Sequence, residues 1–231
     1  MKGGYSEEFK CACLGLALCI VLFSPDIVSR FEAWIPEADS QIAFIASYAA
    51  FLALAYVTGI VIDGILPYSV KEWLLYPSYH GKGLLRPGCR VFDKIASGEA
   101  DDYRFELDKA RELYVVQIET AKAKQRGDSA RYQNGEWYKL YRKHSSSTSV
   151  QSNNIEHLYS RDVYTLSVMT LLLCLLCNVA CLVVQRSPLI SPVSMVCIGI
   201  IGVLCWFSAI EKARRLVFTV IACDIAERTK G

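Results

Sequence analysis

Four polar side chains stand where this 231-residue chain is otherwise apolar or about to become so. Asp63 follows Gly59 and precedes Gly64 in the apolar run Gln41–Leu66. An ionisable group inside such a run is costly and faces a bundle interior or water, so Asp63 reads as a pore-lining or proton-relaying carboxylate. It also lies four residues before Pro67, where an acid at the water interface costs far less. Asn178, in the charge-free run Val163–Val184, reads either as an interhelical hydrogen-bonding group or as a polar group in a pore. His157 and Arg161 lie one helical turn apart just before that run. They share a face that would bind phosphate or an acidic partner, or would simply be solvated.

A fifth group is collective. Lys71, Lys82, Arg86 and Arg90 are mixed with Tyr68, Trp73, Tyr76 and Tyr79. Rings with one polar edge settle at headgroup level, and cations there meet anionic lipid, so the lipid-interface candidates are Trp73, Lys71, Lys82, Arg86 and Arg90. They form either a lipid-sensing collar or an anchoring belt. No Gly-rich phosphate loop, zinc-ligand set or nucleophile elbow is present, so no enzymatic activity, cofactor or metal is expected. Cys174-x-x-Cys177 lacks a His or a second pair nearby, and Asp101 with Asp102 fits the first turn of a helix. Eight of the ten cysteines lie in apolar runs, where Cys acts as a small hydrophobe rather than as part of a disulfide framework.

The elements that must position these groups are membrane helices. Val163–Val184 and Leu189–Ile210 carry no charge, and about 20 helical residues cross a hydrocarbon core of about 30 Å. Gln41–Leu66 is long enough as well. The first run, Cys11–Ser24, is short enough for a signal-peptide core. The acids Glu7 and Glu8 and the absence of a nearby small-x-small site favour a retained span over about residues 11–28.

Cations set the orientation. The connection 25–40 holds Arg30 alone and that between the last two spans Arg186 alone, whereas residues 67–162 hold sixteen and the tail after Ile210 five. Lys and Arg are retained on the cytoplasmic side, which puts both termini and the middle inside an inner membrane. The expected architecture is an all-α membrane protein with four transmembrane helices in two pairs. Residues 1–66 form the first pair, 67–162 a helical cytoplasmic insert, 163–210 the second pair and 211–231 an amphipathic cytoplasmic tail. The insert has thirteen acids against its sixteen cations, and the chain nets +2, too balanced for sequence-specific nucleic-acid binding.

Within the insert, Pro67, Pro77 and Pro87 with Gly81, Gly83 and Gly88 argue against a long helix before Arg90. The charge pattern predicts a helix over Glu99–Arg126, ended by Gly127 and carrying the stripe Tyr103, Leu107, Ala110, Tyr114, Ile118 and Ala121. It would form a hairpin with a helix around Glu136–Lys143. Ser145–Asn154 reads as a loop and Asn153-x-x-Glu156 as the capping signal of a helix running unbroken into the third span. Glu211–Arg228 should extend the fourth span. Small residues at Gly15, Ala17, Ala46 to Ala55, Gly199 and Gly202 suit close helix contacts.

The paired spans, the compact helical insert and the charged entry "EHLYSRDVYTLS" (Glu156–Ser167) resemble the small multi-pass membrane effectors of bacterial anti-phage defence, of the type accompanying retrons or cyclic-nucleotide signalling. That resemblance implies a silent protein that a cytoplasmic protein or nucleoprotein sensor triggers to permeabilise the inner membrane. Four short spans offer little interior, so a homo-oligomer in the lipid bilayer is expected. A non-conducting scaffold for a cytoplasmic partner and a small channel or transporter are the alternatives.

Overall fold

The computed structural model describes residues 2–24, 40–77, 86–100, 102–184 and 186–229. All regular structure among them is helical: α1 (Lys2–Phe23), α2 (Ser40–Ile65), α3 (Tyr68–Leu75), a 3-10 turn (Pro87–Arg90), α4 (Val91–Ser97), α5 (Leu107–Leu113), α6 (Val115–Ala123), α7 (Arg126–His144), α8 (Thr148–Val183) and α9 (Pro192–Arg228). Two of these, α8 and α9, are long and apolar enough to cross a membrane. Leu52–Ile65 with its bent continuation Tyr68–Leu75 would make a third, and Phe9–Leu22 is a shorter apolar helix.

The chain divides into two units, Met1–Lys71 with Tyr159–Phe207 and Glu72–Leu158 with Ser208–Gly231. The first has a core in which Phe9, Cys13, Leu16 and Ile20, stepping by four, three and four along α1, meet Val163, Leu166, Cys174, Ile190 and Ile198. Its outer surface is apolar too: Leu172, Leu176, Val179 and Leu182 on α8 and Val196, Ile200, Val203 and Phe207 on α9 are exposed. A soluble protein does not leave such belts in water, whereas lipid tails solvate them. Close packing uses Gly59, where a Cβ would lie 3.0 Å from Cys13 Sγ, and Gly202, where it would lie 3.4 Å from Ser167 Cβ. Gly15 and Gly199 have open space instead.

The second unit is built around Val91, Phe92, Ile95, Ala110, Tyr114, Ile118, Val217, Phe218, Ile221 and Ile225. The seven-residue α4 is held at both ends by distant side chains. Gln133 Oε1 accepts from the Phe92 and Asp93 amides at 3.0 and 3.2 Å. The Arg111 guanidinium donates to the Ile95 and Ala96 carbonyls, and Gly98 ends the helix at φ 84°.

Three expectations change here. Instead of one helix over Glu99–Arg126 there are α5 and α6, joined at Tyr114 (φ −111°, ψ 19°). Residues before Leu107 stay non-helical because Asp102 Oδ1 accepts from the Arg104 backbone amide at 3.1 Å, a local bond that competes with a helical turn. Tyr103 accordingly leaves the stripe and is 98% exposed, whereas Ala110, Tyr114, Ile118 and Ala121 are buried. Gly127 does not end a helix; Lys124 and Gln125 are extended, and α7 starts at Arg126, making the helix around Glu136–Lys143 much longer. Nor is Ser145–Asn154 a loop throughout: α8 begins at Thr148, anchored by Val150 against Leu216 and Val220. The expected continuity holds, since α8 runs 36 residues through the third apolar run and α9 37 residues through the fourth and its polar extension.

Candidate functional site

Two charged centres are built into the chain, one in each unit. In the first unit, Lys71 on α3 forms ion pairs with Asp63 on α2 and, at 3.5 Å, with Asp162 on α8. Arg161 binds Asp162 through Nε and Nη2 at 2.9 and 2.8 Å and lies over the Tyr68 ring, 4.8 Å from its centroid. Lys71, Arg161 and Asp162 are buried. Two carboxylates thus face two cations, and the centre is formally neutral. Asp63 is no bare carboxylate lining a path, because an ammonium already satisfies it. The acid lies in the last turn of α2 and its lysine on the helix just past Pro67, so the proline bend brings a cation back to it.

The other polar group of the apolar runs is also engaged. Asn178 donates through Nδ2 to the Ile190 carbonyl and accepts through Oδ1 from the Ile190 amide, both at 2.8 Å. It closes the connection between α8 and α9 by reproducing the two bonds a backbone partner would make. Ser24 Oγ, 2.8 Å from Ser194 Oγ, accepts from the Ser191 amide at 2.9 Å and ties the end of α1 to the start of α9.

The remaining sequence candidates disperse. His157 and Arg161 form neither an exposed anion site nor a solvated face: both are buried, and His157 Nδ1 donates to the Ala209 carbonyl at 3.2 Å. Lys71 leaves the lipid-interface set because its ammonium is spent on the two aspartates. Trp73 is 59% exposed, Arg86 reaches Glu72 at 3.5 Å, and Arg90 is exposed. Lys82 and Asp101 lie outside the described residues. Asp102 is bound by Arg104 at 2.5 Å.

The second centre surrounds Asp224, fully buried on α9. Tyr114 Oη donates to Oδ2 at 2.7 Å, and Arg228 Nε lies 2.8 Å from the same oxygen. Lys143 Nζ and His144 Nε2 each donate to Oδ1 at 3.2 Å. Lys143 also reaches Glu227 at 3.0 Å, and the Arg228 guanidinium lies over the Tyr114 ring, 5.4 Å from its centroid. One carboxylate therefore joins the α5–α6 junction, the end of α7 and the end of α9. Burial pushes the Asp224 carboxyl upward, but the bonds from Tyr114, His144 and Lys143 and the Arg228 charge outweigh it and hold it below the usual range. Burial first, then the bond to Asp224, pushes the Tyr114 phenol well up.

His144, Asp224 and Glu227 offer one ligand atom each within 4.8 Å of one another, a spacing a metal would accept. The chemistry of the donors opposes it. The Lys143 ammonium already bridges Asp224 and Glu227, and the second Asp224 oxygen is taken by Tyr114 and Arg228. The centre works as a clasp.

Sequence reasoning passed over Asp224, although a signal was present. Val217, Ile221, Asp224, Ile225 and Arg228 fall on one helical face, which makes Asp224 an acid in an apolar stripe with its cation four residues on. No protein-family model, curated protein or solved structure matches the chain.

Proposed function

We propose that the chain is a four-span inner-membrane effector with both termini in the cytoplasm, which permeabilises the membrane when a cytoplasmic partner triggers it, as in anti-phage abortive infection. One observation carries this reading: the helices bearing the two strongest apolar runs also build the core of the polar unit. From α8 comes Val150, and from α9 come Leu216, Val217, Phe218, Val220, Ile221 and Ile225. A helix of 36 residues is about 54 Å long, well beyond the hydrocarbon thickness of about 30 Å, so each has room for a span and a polar extension. A partner that rearranges this core acts on the same helices that cross the bilayer. The first apolar helix and the α2–α3 segment complete four spans, and the cation distribution orients them.

Titrated induction of the full chain, followed with a voltage-sensitive dye, tests it. Depolarisation that rises with membrane abundance is the expected result; an intact potential at high abundance, with and without phage challenge, refutes it. The neutralised Asp63 favours a second reading, a scaffold that conducts nothing. Under that reading the potential stays intact while a cytoplasmic partner still co-purifies with the chain.

A further inference from the structure

We propose that the cleft between the 3-10 turn, α4, α6 and α7 is a binding site for a phosphate-bearing ligand. The cleft has a volume of about 470 Å³, inside the range of about 300–1,000 Å³ typical of small-molecule sites and larger than a bare inorganic ion needs. Its floor is Ala121 and Ala130, and its rim carries Arg90 from the 3-10 turn and Lys124 and Arg126 from the junction of α6 and α7. Asp93 is the single acid lining it, so three cations face one carboxylate.

Among the described residues, these cations are not taken up by ion pairs. Within the same unit Arg104, Arg111, Lys139, Lys143 and Arg228 each hold a carboxylate at 2.5–3.2 Å. Arg90, Lys124 and Arg126 hold none among the described residues, and Lys124 instead lies 5.5 Å from the Tyr132 ring centroid. Three neighbouring like charges repel one another, and an anion in the cleft relieves that repulsion.

The helix that lines the cleft adds fixed donors. The 19-residue α7 begins at Arg126 with no side-chain cap from Gln125, and its first backbone bond runs from the Ser129 amide to the Gln125 carbonyl at 2.8 Å. The amides of residues 126–128 precede that bond and lack a helical acceptor. Ser129, more than nine-tenths buried, lines the cleft, and its hydroxyl accepts from Gln133 Nε2 at 3.2 Å, which leaves its own proton to donate. Guanidinium forks, an ammonium, a hydroxyl and helix amides are the donor set that a tetrahedral phosphate oxyanion takes. A soluble phosphorylated metabolite and a phospholipid headgroup share that chemistry. The site does not depend on whether the spans conduct.

The test uses the purified full chain in phosphatidylcholine nanodiscs. In one arm pyrophosphate is titrated by calorimetry; in the other, phosphatidylglycerol replaces part of the disc lipid and the melting temperature is read. Each charge-assisted contact is worth about tenfold, so K124A/R126A should weaken pyrophosphate binding about a hundredfold, while R131A, an exposed arginine outside the cleft, binds as the parent does. Binding confined to the phosphatidylglycerol arm and lost in K124A/R126A also supports the site and assigns it to a headgroup. No response in either arm, or a response that K124A/R126A and R131A share with the parent, overturns the proposal.

Discussion

Replacing Asp224 with alanine should loosen the polar unit by an amount that follows from its four partners. The Lys143 and Arg228 side chains are 46% and 38% exposed, so solvent screens both pairs, and the Arg228 pair loses at most about 1 kcal/mol. Tyr114 and His144 are buried. Leaving the Tyr114 hydroxyl without its acceptor costs about 1–3 kcal/mol, and the His144 bond adds about 1 kcal/mol. Relief of the buried carboxylate's desolvation offsets part of this, giving a net loss of about 3 kcal/mol. Asp224→Asn keeps an oxygen facing Tyr114 and should lose about half as much; Tyr114→Phe, which leaves the carboxylate three donors, should lose about 1 kcal/mol. Amide hydrogen exchange of the full chain reads this locally. For Asp224→Ala, peptides covering residues 107–123 and 216–228 should exchange about a hundredfold faster, with residues 163–183 unaffected. Unchanged protection in those peptides, or Tyr114→Phe costing as much as Asp224→Ala, would refute the clasp. Acid supplies an independent arm. A carboxyl held below its unfolded value of about 3.9 contributes stability above that pH and loses it as pH falls through the lower folded value. Protection of the same peptides should therefore collapse below about pH 4 in the parent and change less in Asp224→Asn.

Lys71→Ala leaves Asp63 without its ammonium and should cost about 3 kcal/mol, read as lower membrane abundance and an earlier thermal melt; adding Asp63→Asn should recover part of the loss. Asn178→Leu orphans the Ile190 amide and carbonyl and should speed exchange across residues 186–195, in keeping with a loss of about 2 kcal/mol. Gly59→Ala drives a methyl to within 3.0 Å of Cys13 Sγ and should cost about 1–3 kcal/mol, whereas Gly15→Ala, with nothing within 4 Å, should leave the melt unchanged.

What was legible in the sequence was what depends on composition and period. The charge-free runs of α8 and α9 and their polar continuations are local properties of the chain. So is the face of α5 and α6, because Leu107, Ala110, Tyr114, Ile118 and Ala121 keep a helical phase across the break. The break itself was not legible; it falls at Tyr114, whose hydroxyl reaches an aspartate 110 residues away. The start of α8 was misplaced for a similar reason. A serine-rich stretch favours a loop by propensity, but burying Val150 against Leu216 and Val220 overrides it. The clasp was missed because three of its members, Lys143, His144 and Glu227, look like ordinary helix-end polar groups until tertiary contact joins them.

Charge accounting at both centres narrows how such a protein would permeabilise a membrane. Asp63 and Asp162 face Lys71 and Arg161; Asp224 and Glu227 face Lys143 and Arg228. The lysines and arginines of each set balance its acids; Lys71 and Lys143 come from neighbouring helices, whereas Arg161 and Arg228 share a helix with the aspartate they bind. A buried pair of this kind contributes little net stability, but losing one member strands the other, which favours a single arrangement of the helices that bear them. Neither centre offers an unpaired carboxylate to attract a permeant cation. The outward belts of α8 and α9 are apolar, and Asn178 is spent on the connection between them. Under the function proposed above, a leak would therefore form between copies, along the apolar surfaces of α8 and α9, rather than through the bundle of one chain. On that account Asp63→Asn changes stability without changing the conductance of any channel that forms, and a shift in single-channel conductance or ion selectivity on that substitution would return Asp63 to the pore.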